Sequence, residues 1–146
     1  MDAVMFGTKV TGINYQKRKA VYGVIWNELH NKILVVKTSS NHYFLPGGGI
    51  EKGESEVECL QREIVEETGY HMLNDTYIGT ATCFFFSLKG EPMENQGYFY
   101  IATIGDKRIN STDLDHLPIW MDEKEAMNKL FHPHQVWAVK EARERV

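Results

Sequence analysis

An α/β layered domain is the architecture expected for this 146-residue chain, on three grounds. The first half holds short β-forming runs separated by polar turns. The middle holds a glycine-rich breaker followed by a segment of helical periodicity. The end of the chain carries two helix-start signals. Strands with helices between and after them make up a layered α/β domain. The length suits a single domain, residues 1–146, with one sizeable core.

The elements follow in order. Residues 19–26 carry Val21, Val24, Ile25 and Trp26, β-formers in partial alternation. Residues 27–31 are polar and turn-like. Residues 32–38 contain Ile33, Leu34, Val35 and Val36, a short apolar run bounded by turns, which predicts a buried strand. Tyr43, Phe44 and Leu45 lead into the breaker Pro46, Gly47, Gly48, Gly49. A helix is predicted over 55–68. Ser55 with Glu58 three residues on forms a capping box, Val57, Leu60 and Ile64 recur at helical spacing, and Gly69 is placed to end it. Residues 76–87 and 97–104 read as two β segments around a polar turn at 89–96. Asp122 with Glu125 starts a second helix to about residue 130. Pro133 at a first helical position starts a third, to about residue 144.

Composition narrows the function. Hydrophobic residues at 42% and charged residues at 25% are ordinary for a soluble fold. The densest apolar run, residues 83–86, falls far short of the roughly 18 residues of a membrane span. The first six residues hold an acid and no basic stretch, so no signal peptide is expected. Cys59 and Cys83 form no close pair, which fits reduced thiols in a cytoplasmic protein. A net charge of −4 with no basic stripe argues against coating extended nucleic acid. It leaves nucleotides open as substrates, because a bound cation can supply the positive charge.

The densest chemistry lies between Gly48 and Tyr70. Gly48, Glu54, Arg62, Glu63, Glu66, Glu67 and Gly69 fit the pattern G-x5-E-x7-R-E-U-x-E-E-x-G-U, where U is bulky and apolar. Seven such identities coincide by chance on the order of once in 10⁸ starts at average residue usage. At ~100° per residue, Glu63, Glu66 and Glu67 fall within roughly a 100° arc beside the apolar stripe. Like charges so placed repel. Arg62 relieves this through Glu66 or Glu58 at four-residue spacing. A hard divalent cation relieves it too, since Mg²⁺ takes a few carboxylates, waters and substrate phosphates. Gly47, Gly48 and Gly49 let backbone atoms approach an ion or phosphate closely.

This segment, with its entry Tyr43-Phe44-Leu45-Pro46-Gly47-Gly48, resembles the signature of the Nudix hydrolase family, MutT-like members included. Tyr70 stands where that family commonly has an aliphatic residue. The resemblance implies an α/β/α sandwich with a mixed β-sheet, and Mg²⁺- or Mn²⁺-dependent hydrolysis of a nucleoside diphosphate linked to another moiety. Carried over, Glu66 and Glu67 are the principal metal ligands. Glu63 is the general base or a further ligand, and Arg62 orients the helix glutamates. Glu54 is a supporting ligand or a carboxylate standing behind the ligands, and the Gly47 carbonyl a backbone ligand. A further acid from a loop is expected, with Asp115 ahead of Glu91, Glu94 and Asp113. The alternative is a Nudix-fold module that binds nucleotide without turnover.

For the substrate, Arg18 and Lys37 near strand ends are candidates for phosphate contact. Tyr43 is a candidate for the base, together with Tyr22, Phe84, Phe86, Tyr98 and Tyr100. Alternation puts Phe84 and Phe86 on one strand face and Phe85 on the other. His132 and His134 flank Pro133 as part of a helix start, and Trp137 is expected to pack the last helix onto the sheet. A monomer or a homodimer, the latter through an edge strand near the N-terminus, is compatible with the chain.

Overall fold

The computed structural model describes residues 3–107 and 115–146. Among these residues eight strands and three helices follow one another as β1 (Val4–Phe6), β2 (Gln16–Val24), β3 (Lys32–Thr38), β4 (Tyr43–Phe44), β5 (Gly47–Gly49), α1 (Glu56–Thr68), β6 (Tyr70–Phe86), β7 (Pro92–Lys107), β8 (His116–Asp122), α2 (Glu123–Lys129) and α3 (Pro133–Arg143). Five strands form one sheet in the order β1-β6-β7-β2-β5, and three form a second in the order β4-β3-β8. The larger sheet is mixed. β2 runs parallel to β7 and β1 parallel to β6, while β6 and β7 form a long antiparallel hairpin.

Alternation along β2 divides the core in two. Ala20, Tyr22 and Val24 face α3, joining Phe99, Ala138, Val139 and Ala142. Val21 faces α1, joining Leu60, Ile64, Tyr100 and Ala102. Helices thus cover both faces, as an α/β/α sandwich requires. Leu60 and Ile64 are fully buried, each contributing about 1.5–3 kcal/mol by that burial. Trp137 packs against this α3-side core, with its ring 5.9 Å from Phe99.

Three strands are absent from the expected set: β1, β5 and β8. The glycines of β5 read as a breaker but pair antiparallel with β2, Gly47 opposite Tyr22 and Gly49 opposite Ala20. β8 is an edge strand that tolerates Pro118 because, among the described residues, its outer ladder side has no partner strand. The hairpin turn is also shorter than expected. It closes at 87–91, where Gly90 at φ 80° donates its N–H to Ser87 O. Polar Glu94, Asn95 and Gln96 are therefore strand residues, laddered to β2 and β6 on both sides.

Candidate active site

Helix α1 sets the geometry. Ser55 caps it in both directions of the capping box, and Gly69 closes it in the left-handed conformation at φ 79°. The glycine strand β5 lies against it so closely that a Cβ on Gly48 would stand 2.7 Å from the Glu63 carboxyl. A Cβ on Gly47, whose φ is 150°, would stand 2.0 Å from Val21 O. Both positions exclude side chains, and both bring backbone against glutamate.

Arg62 gathers the acids. Its Nε and Nη2 donate to the two oxygens of Glu54 at 2.6 and 3.0 Å, a forked pair. Its Nη1 donates to Glu63 Oε1 at 2.9 Å and Glu66 Oε2 at 3.3 Å, and its Nη2 reaches Gly49 O at 3.3 Å. Hydrogen bonding from Arg62 holds the Glu54 carboxyl down at about 2, and Glu54 in turn raises the guanidinium. Burial pushes Glu63 the other way, above the ordinary carboxylate value, against the lowering effect of Arg62. Cys59, beneath the same loop, has its thiol pushed up to about 12 by burial.

Glu67 stands apart from that knot. Only 2% exposed, it accepts the Gly47 N–H on Oε1 at 2.8 Å, and its Oε2 lies 3.3 Å from His116 Nε2. Glu67, Gly47, Gly48 and His116 form part of the wall of a cavity of about 690 Å³. Phe44, Phe85, Phe131 and His132 form another part, with ring centroids 4.5 Å apart between Phe85 and His132. Arg18 and Tyr22 from β2 lie on the same cavity, and the Arg18 Nε is 3.1 Å from where a Gly49 Cβ would be.

The structure thus brings Glu54, Arg62, Glu63 and Glu66 together, and places Glu67, Gly47 and Arg18 on the cavity. Asp115 also lines it and accepts a hydrogen bond from Ser39. Lys37 and Tyr43 lie elsewhere: Lys37 and Lys129 place their ammonium groups over the Tyr43 ring at 5.8 and 5.6 Å. Of the other base candidates, Tyr22 and Phe86 line the cavity, whereas Phe84 packs edge-on against Tyr15. Glu91 lines it too, Glu94 lies near Lys9, and Asp113 falls outside the described residues. His116, Asn95 and Phe85 were not singled out as site residues from sequence, because strand pairing brings them to the site, and Phe44 was named only within the entry to the motif.

The family model for the NUDIX domain matches residues 16–144. The chain belongs to the NUDIX family. An ADP-ribose pyrophosphatase of Methanocaldococcus jannaschii is 48% identical over 54 residues, 34% of this chain and 31% of that protein. The segments matched in the curated relatives span 6–41% of those relatives' own lengths. Among solved structures, a NUDIX hydrolase from Nitrosomonas europaea superposes with a TM-score of 0.75 at 18% identity, over 89% of this chain and 90% of that one. The NUDIX domain of Shewanella oneidensis NrtR, in complex with ADP ribose, gives 0.70 at 18% identity over 90% of each chain. At that identity the likeness is one of NUDIX fold.

Proposed function

We propose that this chain is a pyrophosphohydrolase that cleaves a nucleoside diphosphate linked to another moiety, with Mg²⁺ or Mn²⁺ as cofactor. The observation that carries the reading is Glu67: a buried carboxylate on a cavity wall, pinned between the Gly47 amide and His116, beside Arg18 and an aromatic pocket. A carboxylate costs too much to bury there for packing alone.

The donor set fits a hard divalent cation. Glu54, Glu63, Glu66 and Glu67 offer only oxygens, and the glycine cradle leaves backbone close to them. Glu66, Glu67 and Glu63 would hold the ion, with the Gly47 carbonyl and Glu54 in support. Among the described residues no group of three acids, histidines or cysteines is drawn around one point, because Arg62 engages Glu54, Glu63 and Glu66. Bound there, the cation supplies charge neutralisation at the phosphoryl oxygens and a more acidic water. Arg62 keeps the carboxylates from splaying apart under mutual repulsion. Where Glu63 is not taken up as a ligand, its carboxylate is the group that would accept a proton from the attacking water. Arg18 contacts the substrate phosphates, and the aromatic wall stacks the base. Buried free thiols at Cys59 and Cys83 suit a cytoplasmic setting.

The test is a panel of dinucleotides, ADP-ribose, sugar nucleotides and nucleoside triphosphates with Mg²⁺ or Mn²⁺, scored by the phosphate species released. Turnover of at least one class is expected, lost by about 100-fold or more in Glu67→Gln with the fold retained. Silence across the panel with measurable nucleotide binding favours a sensing module instead. Full activity in Glu67→Gln removes Glu67 from the site.

A further inference from the structure

We infer that Asn95 reads the nucleobase, accepting a hydrogen bond from an exocyclic amino group. The inference rests on the nucleotide reading above. Asn95 sits on β7, between Arg18 of β2 and Cys83 of β6 in the register. It lines the cavity and is 3% exposed. Its Nδ2 donates to Tyr22 Oη at 3.0 Å. Its Oδ1 has no hydrogen-bond partner among the described residues. A buried carboxamide with one end unpaired is costly, and an apolar side chain of the same size would serve packing better. A ligand that supplies the missing donor removes the cost.

The surroundings say what kind of ligand. Phe85, two positions along β6 from Cys83, lies on the same strand face, with its ring 4.5 Å from that of His132 at a tilt of 51°, so two rings line the cavity that the carboxamide shares. Arg18 lies against Gly49, and its charge acts on both Glu63 and His132. The candidate phosphate-binding cation and the unpaired acceptor therefore belong to one cross-strand pair on one cavity. The amino group of an amino-bearing base presents N–H to a carboxamide oxygen, as in the pairing of Asn with adenine.

The test compares ADP-ribose, ATP and GTP, each beside its analogue with the base amino group replaced by hydrogen, in hydrolysis and in calorimetric binding. The wild type is expected to prefer an amino-bearing member by at least about tenfold in kcat/KM. Asn95→Leu should collapse that ratio to near unity, the amino-bearing member losing more in KM than its amino-lacking analogue. Asn95→Ser, smaller and still polar, checks that any loss is not misfolding. Equal loss for both members of a pair, or no preference in the wild type, overturns the inference while leaving the hydrolase reading in place. Asn95-dependent preference in binding without turnover supports it and removes the hydrolase reading. Absence of nucleotide binding overturns both.

Discussion

Gly48 and the Glu63 carboxyl contend for one volume, and this makes the glycine a catalytic determinant without chemistry of its own. A methyl at Gly48 would lie 2.7 Å from both Cδ and Oε1 of Glu63. Oε1 is also the atom that accepts from Arg62 Nη1. Gly48→Ala should therefore push the carboxylate away and break that bond, while the backbone of Gly48 needs no glycine-only conformation. We expect kcat to fall more than about tenfold, with overpacking costing about 1–3 kcal/mol in a urea titration. Undiminished kcat would show that Glu63 acts from another position. Gly47 differs in kind, since its clash is with the Val21 carbonyl and the lesion is to the strand pair. The glutamates and Arg62 were legible in sequence because their spacing is local to one loop and one helix. His116 and Asn95 were not, because a lone polar residue gains meaning only from what pairing places beside it.

Among the elements, α1 is the one most completely written in its own sequence. Ser55 Oγ accepts the Glu58 N–H at 3.1 Å and Glu58 Oε1 accepts the Ser55 N–H at 3.0 Å, both halves of the expected box. The helix carries acids at its first turn, a buried stripe, and a left-handed glycine at its end. β5 is the opposite case. Three glycines have no strand preference, and the segment is a strand because β2 offers it a ladder. The hairpin β6–β7 was underestimated for the same reason: Glu94 to Gln96 are polar, yet two neighbours satisfy their backbone. Ser55→Ala then isolates the contribution of the cap. It should lower stability by about 1 kcal/mol and leave KM unchanged, because the cap lies at the far end of α1 from Glu67. A chemical-denaturation curve superimposable on wild type would show that tertiary packing alone sets the helix start.

For the molecule as a whole, acid stability is set by histidines that carry no part of the glutamate motif. His134 is fully buried on α3 against Tyr22 and Phe99, and neither ring nitrogen has a hydrogen-bond partner among the described residues. Burial pushes its imidazole down to about 3, and that of His132 down to about 4. An unfolded chain takes up these protons near pH 6.5. The folded protein does not, so between 6.5 and about 4 the unfolded state binds more protons and stability falls as pH falls. Each histidine contributes a slope of about 1.4 kcal/mol per pH unit where the two states differ fully. Glu54 acts later with the same sign: its contribution is present above its ordinary value and lost as pH drops towards about 2. Glu63, raised by burial, opposes both, since its protonation relieves the fold. Urea midpoints should therefore hold steady above pH 7 and decline from about 6.5 downwards, before carboxylates of ordinary affinity titrate. His134→Leu should remove about half of that decline. A midpoint flat from pH 7.5 to 5 would mean that both imidazoles titrate normally, and that the α3 terminus opens to water in solution.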